Sequence, residues 1–208
     1  IYQLLAAILV FFGLVVVINI FNRIKAGQES RKLEEKADTD LLTSLNNKLA
    51  TERKIKEYME KMPDEQGLLF VLDVDNFKKI NDTLGHAFGD EVLRTLGHSI
   101  GAVFRATDII GRTGGDEFTI FLKHLNEEEL LEKEAAKLCN FFKNFQAGEY
   151  VKYAATASIG AAVFPRDGKD FETLYKAADT ALYVAKKRGK SQLAFYGDEG
   201  SKSEGLKR

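Results

Sequence analysis

Cysteine is nearly absent from this 208-residue chain, and the single Cys139 excludes an internal disulfide and any cysteine-based metal cluster. It lies in an apolar stretch, KLCNFF, with the spacing of a helix interior. Excess charge is absent too. Thirty Lys+Arg against 31 Asp+Glu give a net charge of -1, so no global basic field invites nucleic acid and any cationic site must be local. The common phosphate loops are missing: GKS at 189–191 lacks the upstream glycine of a P-loop, and no GxGxxG occurs. There is no internal repeat. The first residue is Ile1 rather than Met, so the chain reads as a fragment with a sensory part upstream.

What is present starts with an apolar run. Residues 1–22 carry no charge, and at about 1.5 Å per residue they span roughly 33 Å, close to the thickness of a bilayer core. The segment reads as a transmembrane helix. It has neither the basic start nor the cleavage pattern of a signal peptide. Arg23, Lys25, Arg31 and Lys32 follow and place the downstream part in the cytoplasm. The expected location is therefore a membrane, crossed once at this end, with the downstream part in the cytoplasm. Residues 23–40 read as a connecting helix, 41–197 as the folded domain and 198–208 as a disordered polar tail. Hydrophobic residues at 45% are enough for one sizeable core.

Within the domain, 47–62 has helical spacing and ends at Pro63, and LLFVLDV (68–74) is a continuous apolar run typical of a buried central strand. A helix over 89–104 precedes a hairpin formed by 108–112 and 117–123 around Gly114-Gly115. A helix over 126–146, a small-residue strand over 153–164, a helix over 171–187 and a strand over 192–196 complete the pattern. This order predicts an α+β fold with a mixed central sheet surrounded by helices.

Carboxylates gather at two places where a core pattern does not ask for them. In LDVDNFKKIND (72–82), Asp73 and Asp75 are two apart and fall on one side of a strand; in GRTGGDEF (111–118), Asp116 and Glu117 follow two glycines. If the two strands are neighbours, Asp73 and Asp116 meet at one end of the sheet. Converging carboxylates repel unless a cation joins them, and hard oxygen donors suit Mg²⁺ or Mn²⁺, the metals of phosphoryl and nucleotidyl transfer. Gly114 and Gly115 let a backbone approach phosphates, and Lys78 supplies a point charge. An Asn and an Asp, such as Asn81 and Asp90, can together read guanine. Each residue has a plainer alternative. Asp75 can cap a helix starting near Phe77, Asp116 can be a turn residue, and Asn81 and Asp90 can end one helix and start another.

Taken together the motifs resemble the GGDEF-domain diguanylate cyclases. GGDEF stands at 114–118, DTDLLTSLNNK (38–48) resembles the family's opening motif, and LDVDNFKKINDTLGHAFGD (72–90) its central one. ATASIGAAVFP (155–165) and ADTALYVAKKRGKS (178–191) resemble its later strand and last helix. The resemblance covers about 38–196 and implies a fold like the palm of nucleotide cyclases and polymerases. It implies that Asp73, the Val74 carbonyl, Asp116 and Glu117 hold two Mg²⁺ (or Mn²⁺) per site, with Asp116 helping to deprotonate a 3′-hydroxyl. Lys78, Lys186 and Lys190 would meet the phosphates, with Gly114 and Gly115 close by. Asn81, His86 and Asp90 would bind guanine. Two protomers face to face, each holding one GTP, would make cyclic di-GMP. Arg105 and Asp108 form RxxD, which in the family is an allosteric product-binding inhibitory site; a cyclic dinucleotide is a dianion with guanine edges. Ser44 and Lys48 stand where the family has Gly and Arg, and GKS replaces Gly-Arg-Asn near the end. A module that has lost catalysis and only senses GTP or cyclic di-GMP is the alternative function; the intact acids weigh against it.

Overall fold

The computed structural model describes Gly13, residues 17–23, Lys25, residues 38–148 and residues 153–198. The chain divides into two compact units, 1–39 and 40–208, and residues 17–23 of the first are helical. Among the described residues no helix is long and apolar enough to cross a membrane. Most of the apolar segment 1–22, most of the connecting segment 23–40 and nearly all of the tail 198–208 lie outside the described residues.

The second unit runs α1 (Lys48–Lys61), β1 (Gly67–Val74), α2 (Phe77–Leu84), α3 (His86–Val103), β2 (Ile109–Arg112), β3 (Glu117–Leu122), α4 (Glu128–Asn144), β4 (Gln146–Ala147), β5 (Tyr153–Ala154), β6 (Ala157–Phe164), α5 (Phe171–Lys187) and β7 (Leu193–Phe195). Five strands form one mixed sheet in the order β2-β3-β1-β6-β7; β6 and β7 are parallel and the other neighbours antiparallel.

The continuous apolar run of β1 is explained by its central place. Leu68, Phe70 and Leu72 face one core with Val92, Leu93, Leu96 and Ile100 of α3. Leu69 and Val71 face a second core with Ile55 and Met59 of α1 and Leu174 and Leu182 of α5. Buried on both faces, the strand needs no polar alternation. The small residues of β6 have a different cause. A Cβ at Gly160 would lie 2.0 Å from the Ala178 carbonyl oxygen and 2.2 Å from the Leu182 nitrogen, so α5 rests directly on the strand backbone.

Two boundaries differ from expectation. The strand expected over 153–164 is interrupted: Tyr153–Ala154 pairs with β4 in a separate two-stranded ribbon, and only Ala157–Phe164 joins the main sheet. The helix expected from residue 89 starts at His86, and a separate short helix, α2, precedes it across Gly85, whose φ of 86° lies in the left-handed region that favours glycine.

Candidate active site

Strands β1 and β3 are neighbours, in a register that sets Asp73 directly opposite Glu117. Asp116 precedes β3, and its carbonyl accepts a hydrogen bond from the Val74 N–H at 3.1 Å. The two acidic motifs therefore meet at one end of the central sheet. Electrostatics reflects that meeting. Burial, then the charge of Asp73, raises the Asp116 carboxyl above its ordinary value. Burial followed by the charges of Asp73 and Asp116 does the same for Glu117, and Asp179 of α5 adds to it. Lys186 of α5 supplies the nearest counter-charge, with its Nζ 2.9 Å from Asp73 Oδ2.

The turn between the strands is built around Glu117. The N–H groups of Thr113 and Gly114 both donate to the Glu117 carbonyl, at 3.0 and 3.3 Å. A Cβ on Gly114 would come 2.7 Å from Glu117 Oε2, whereas one on Gly115 would meet nothing within 4 Å. The first glycine makes room for a carboxylate, and the second leaves open space.

Arg112 braces this turn from below. Its Nε and Nη2 donate to the Gly115 carbonyl at 3.1 and 2.7 Å, and its Nη1 lies 3.3 Å from both Asp40 oxygens. Tyr175 of α5 is near the turn; burial, then the charges of Glu117 and Asp179, push its phenol up to about 12. Arg112, Asp40, Tyr175 and Asp179 were not singled out from the sequence. Tyr175, Asp179 and Lys186 lie four and seven residues apart, on one face of α5, and that spacing was the available signal.

Asp75 is a buried acceptor rather than a helix cap. Strand β1 ends at Val74, but the Asp75 N–H still bonds the Thr156 carbonyl of the neighbouring chain segment, and its carboxylate turns inward, 5% exposed. It accepts hydrogen bonds from Ser158 Oγ (2.6 Å), Thr156 Oγ1 (2.8 Å) and the Ser191 N–H (2.9 Å). Ser158 stands directly opposite Asp73 in the β1–β6 register, so these bonds keep Asp75 on the side of the strand that carries Asp73; it does not cap α2, whose N-cap is Asn76 without a side-chain cap bond.

The remaining candidates lie on or beside α2 and α3. Lys78, His86 and Asp90 are exposed. Asn81 Oδ1 is buried with no hydrogen-bond partner among the described residues, and a Cβ at Gly89 would come 1.9 Å from it. Lys190 is exposed and its Nζ donates to Asn76 Oδ1 at 2.8 Å. At the opposite end of α3, Asp108 Oδ2 accepts from the Arg105 N–H at 3.0 Å and Oδ1 from the Lys123 N–H at 3.2 Å. Beside them opens a cavity of about 390 Å³ whose lining includes Lys54, Tyr58, Lys61, Asp108 and Lys123.

Among the described residues no three carboxylate, imidazole or thiol groups already stand within reach of one metal ion. The donor set nevertheless suits Mg²⁺, which is held by one or two carboxylates together with substrate phosphates rather than by an all-protein cage. Mutually repelling acids, one of them neutralised by Lys186, are a site where a cation relieves repulsion.

Residues 37–192 match the family model described as diguanylate cyclase, GGDEF domain. The chain belongs to the GGDEF-domain family. It is 39% identical over 129 residues to diguanylate cyclase DosC of Escherichia coli, covering 62% of this chain and 28% of that protein. It is 31% identical over 175 residues to cyclic di-GMP phosphodiesterase PdeR of the same organism, covering 82% of this chain and 26% of that protein. The GGDEF chain thus spans about a quarter of the length of these curated relatives. Its fold is similar to the GGDEF domain of DgcB from Caulobacter crescentus in complex with c-di-GMP, with a TM-score of 0.68 and 27% identity over 77% of this chain and 96% of that one.

Proposed function

We propose that this GGDEF domain is a diguanylate cyclase that condenses two GTP into cyclic di-GMP and two pyrophosphates. The observation that carries the reading is the convergence of Asp73, Asp116 and Glu117 at one sheet end, with Lys186 against Asp73. In a face-to-face homodimer each protomer holds one GTP, and each 3′-hydroxyl attacks the α-phosphate of the other nucleotide. Two P–O bonds form and two pyrophosphates leave. Divalent metal held by Asp73, the Val74 carbonyl, Asp116 and Glu117 supplies charge neutralisation at the phosphates. Asp116, with its raised affinity for a proton, accepts the proton of the attacking hydroxyl. Lys78, Lys186 and Lys190 stabilise phosphate charge, Gly114 and Gly115 leave room for it, and positioning supplies most of the rate. Asn81, His86 and Asp90 hold the guanine. A buried acceptor without a partner, such as Asn81 Oδ1, costs about 1–3 kcal/mol, a cost that holding the amide ready for a base accounts for. Arg105 and Asp108 bind the product and inhibit. Membrane attachment through residues 1–22 and a bacterial inner-membrane location belong to the same proposal.

A second reading has its own support. PdeR, named a phosphodiesterase, is 31% identical to this chain. Under this reading the domain binds GTP or cyclic di-GMP as a regulatory module without turning it over.

One incubation separates the two. Residues 22–208 are mixed with GTP and Mg²⁺, and products are resolved by chromatography beside an Asp116→Ala control. Cyclic di-GMP from the parent and none from the control is the expected result. No product from the parent, even when dimerised by a fused coiled coil, leaves the regulatory reading.

A further inference from the structure

The loop that carries Lys190 has an unusual backbone. Gly189, Lys190 and Ser191 have φ values of 112°, 66° and 51°, so two consecutive non-glycine residues occupy the left-handed region. Such residues persist only where their surroundings hold them. The Lys190 N–H is held by the Ala185 carbonyl at 3.1 Å, and the side chain that holds the loop is Asp75, which accepts the Ser191 N–H at 2.9 Å. The same carboxylate is fixed by Ser158 Oγ at 2.6 Å and Thr156 Oγ1 at 2.8 Å. Ser158 is fully buried on β6, and Asp75 itself is 5% exposed. Its neighbour Asn76 holds the other end, accepting from Lys190 Nζ at 2.8 Å. Two consecutive residues at the end of β1 therefore grip two consecutive residues after α5.

Asp75 is also two residues from Asp73, and the strand bearing that acid is continuous with it.

We propose that Asp75 is a positioning residue, which fixes the loop at 189–191 so that Lys190 faces the phosphates of a nucleotide bound at the Asp73–Asp116 end of the sheet. This rests on the nucleotide-binding reading above. Asp75 touches neither nucleotide nor metal and acts through the loop. An aspartate is needed because three donors converge on it. Asparagine has the same shape, but it offers one acceptor oxygen and brings two donors of its own.

The test has an arm that needs no nucleotide. In the parent, the Ser191 N–H lies in an exposed loop yet exchanges slowly with solvent, because Asp75 holds it. Asp75→Asn speeds that exchange, whereas Thr156→Val, which removes another donor to the same carboxylate, does not. In the second arm Asp75→Asn raises KM for GTP about tenfold while kcat stays within about twofold, in line with the loss of a hydrogen bond to a charged group. In a double-mutant cycle, Lys190→Ala then adds little to Asp75→Asn, because both remove the same contact.

Rapid Ser191 exchange in the parent overturns the proposal without any variant. So does a KM rise in Thr156→Val as large as in Asp75→Asn, which means general loosening. So do effects of Asp75→Asn and Lys190→Ala that multiply. A protected Ser191 in a parent that neither binds nor turns over GTP overturns the nucleotide reading itself, and the positioning role falls with it.

Discussion

Arg112 joins Asp40 to Gly115: one guanidinium lies 3.3 Å from both oxygens of the carboxylate and donates to the carbonyl of the signature turn at 2.7 and 3.1 Å. The opening motif and the GGDEF turn are thereby one mechanical unit. Asp40 is in turn fixed by Thr43, whose N–H and hydroxyl donate to Oδ1 at 2.9 and 2.7 Å. Burial raises the Asp40 carboxyl, but the Thr43 hydrogen bonds and Arg112 outweigh it and hold the group below its ordinary value.

Arg112→Lys keeps the charge and loses the fork. One ammonium on a shorter reach cannot serve Asp40 and Gly115 together. Cyclic di-GMP formation is expected to fall about tenfold, and the thermal midpoint by several degrees, as hydrogen bonds to charged groups are lost. Turnover within a factor of two of the parent would show that the turn supports itself.

The acids predict an inverted pH dependence of stability. Asp116 and Glu117 have raised values, so between the unfolded value and the folded one the native state binds more protons, and stability falls as pH rises through that window. Both are therefore liabilities at neutral pH. Asp116→Asn is expected to melt a few degrees above the parent at neutral pH. The gap closes as pH falls below the ordinary aspartate value of 3.8, where the parent's carboxyl is protonated in both states. Mg²⁺ raises the parent's midpoint more than the variant's. A variant that melts lower than the parent at neutral pH contradicts the repulsion.

Much of this site was legible in the sequence because the acids break a hydrophobic pattern. An apolar strand has no packing use for Asp73, and a β-turn has none for a following Glu117. The helices and strands were legible for the same reason: apolar spacing sets them, and β1 needed only its unbroken run. What escaped were residues whose work depends on a partner distant in sequence. Arg112 and Asp40 are 72 positions apart, and Asp75 and Ser191 are 116 apart. Period-two reasoning placed Asp75 on the side of Asp73, but it could not show that the carboxylate is taken up by Ser158, Thr156 and Ser191. The ribbon formed by β4 and β5 escaped because two-residue strands carry no periodicity.

The RxxD motif yields a prediction in which its two members separate. Asp108 bonds two backbone N–H groups, of Arg105 and Lys123, so Asp108→Ala loses structure as well as any ligand contact. Arg105 is exposed. The neighbouring cavity also contains Lys123, whose ammonium burial holds below the ordinary lysine range. Arg105→Ala is expected to leave the initial rate near the parent's and to weaken inhibition by added cyclic di-GMP about tenfold. Progress curves at increasing product check it. Inhibition equal to the parent's places the product elsewhere.

Gly160→Ala tests how the sheet positions α5. The added methyl would lie 2.0 Å from the Ala178 oxygen and 2.2 Å from the Leu182 nitrogen, and neither backbone atom can rotate aside. The helix must lift, and it carries Tyr175, Asp179 and Lys186 on the face turned toward the acids. Overpacking of this kind costs about 1–3 kcal/mol. The midpoint of urea unfolding therefore falls with an unchanged slope. Lys186 moves off Asp73, so turnover falls in the fraction that remains folded. Gly115→Ala is the control for stability, since its methyl meets nothing within 4 Å. If Gly160→Ala unfolds at the parent's urea concentration, then α5 and β6 can separate at no cost, and the direct seating of the helix on the strand is not what places Lys186.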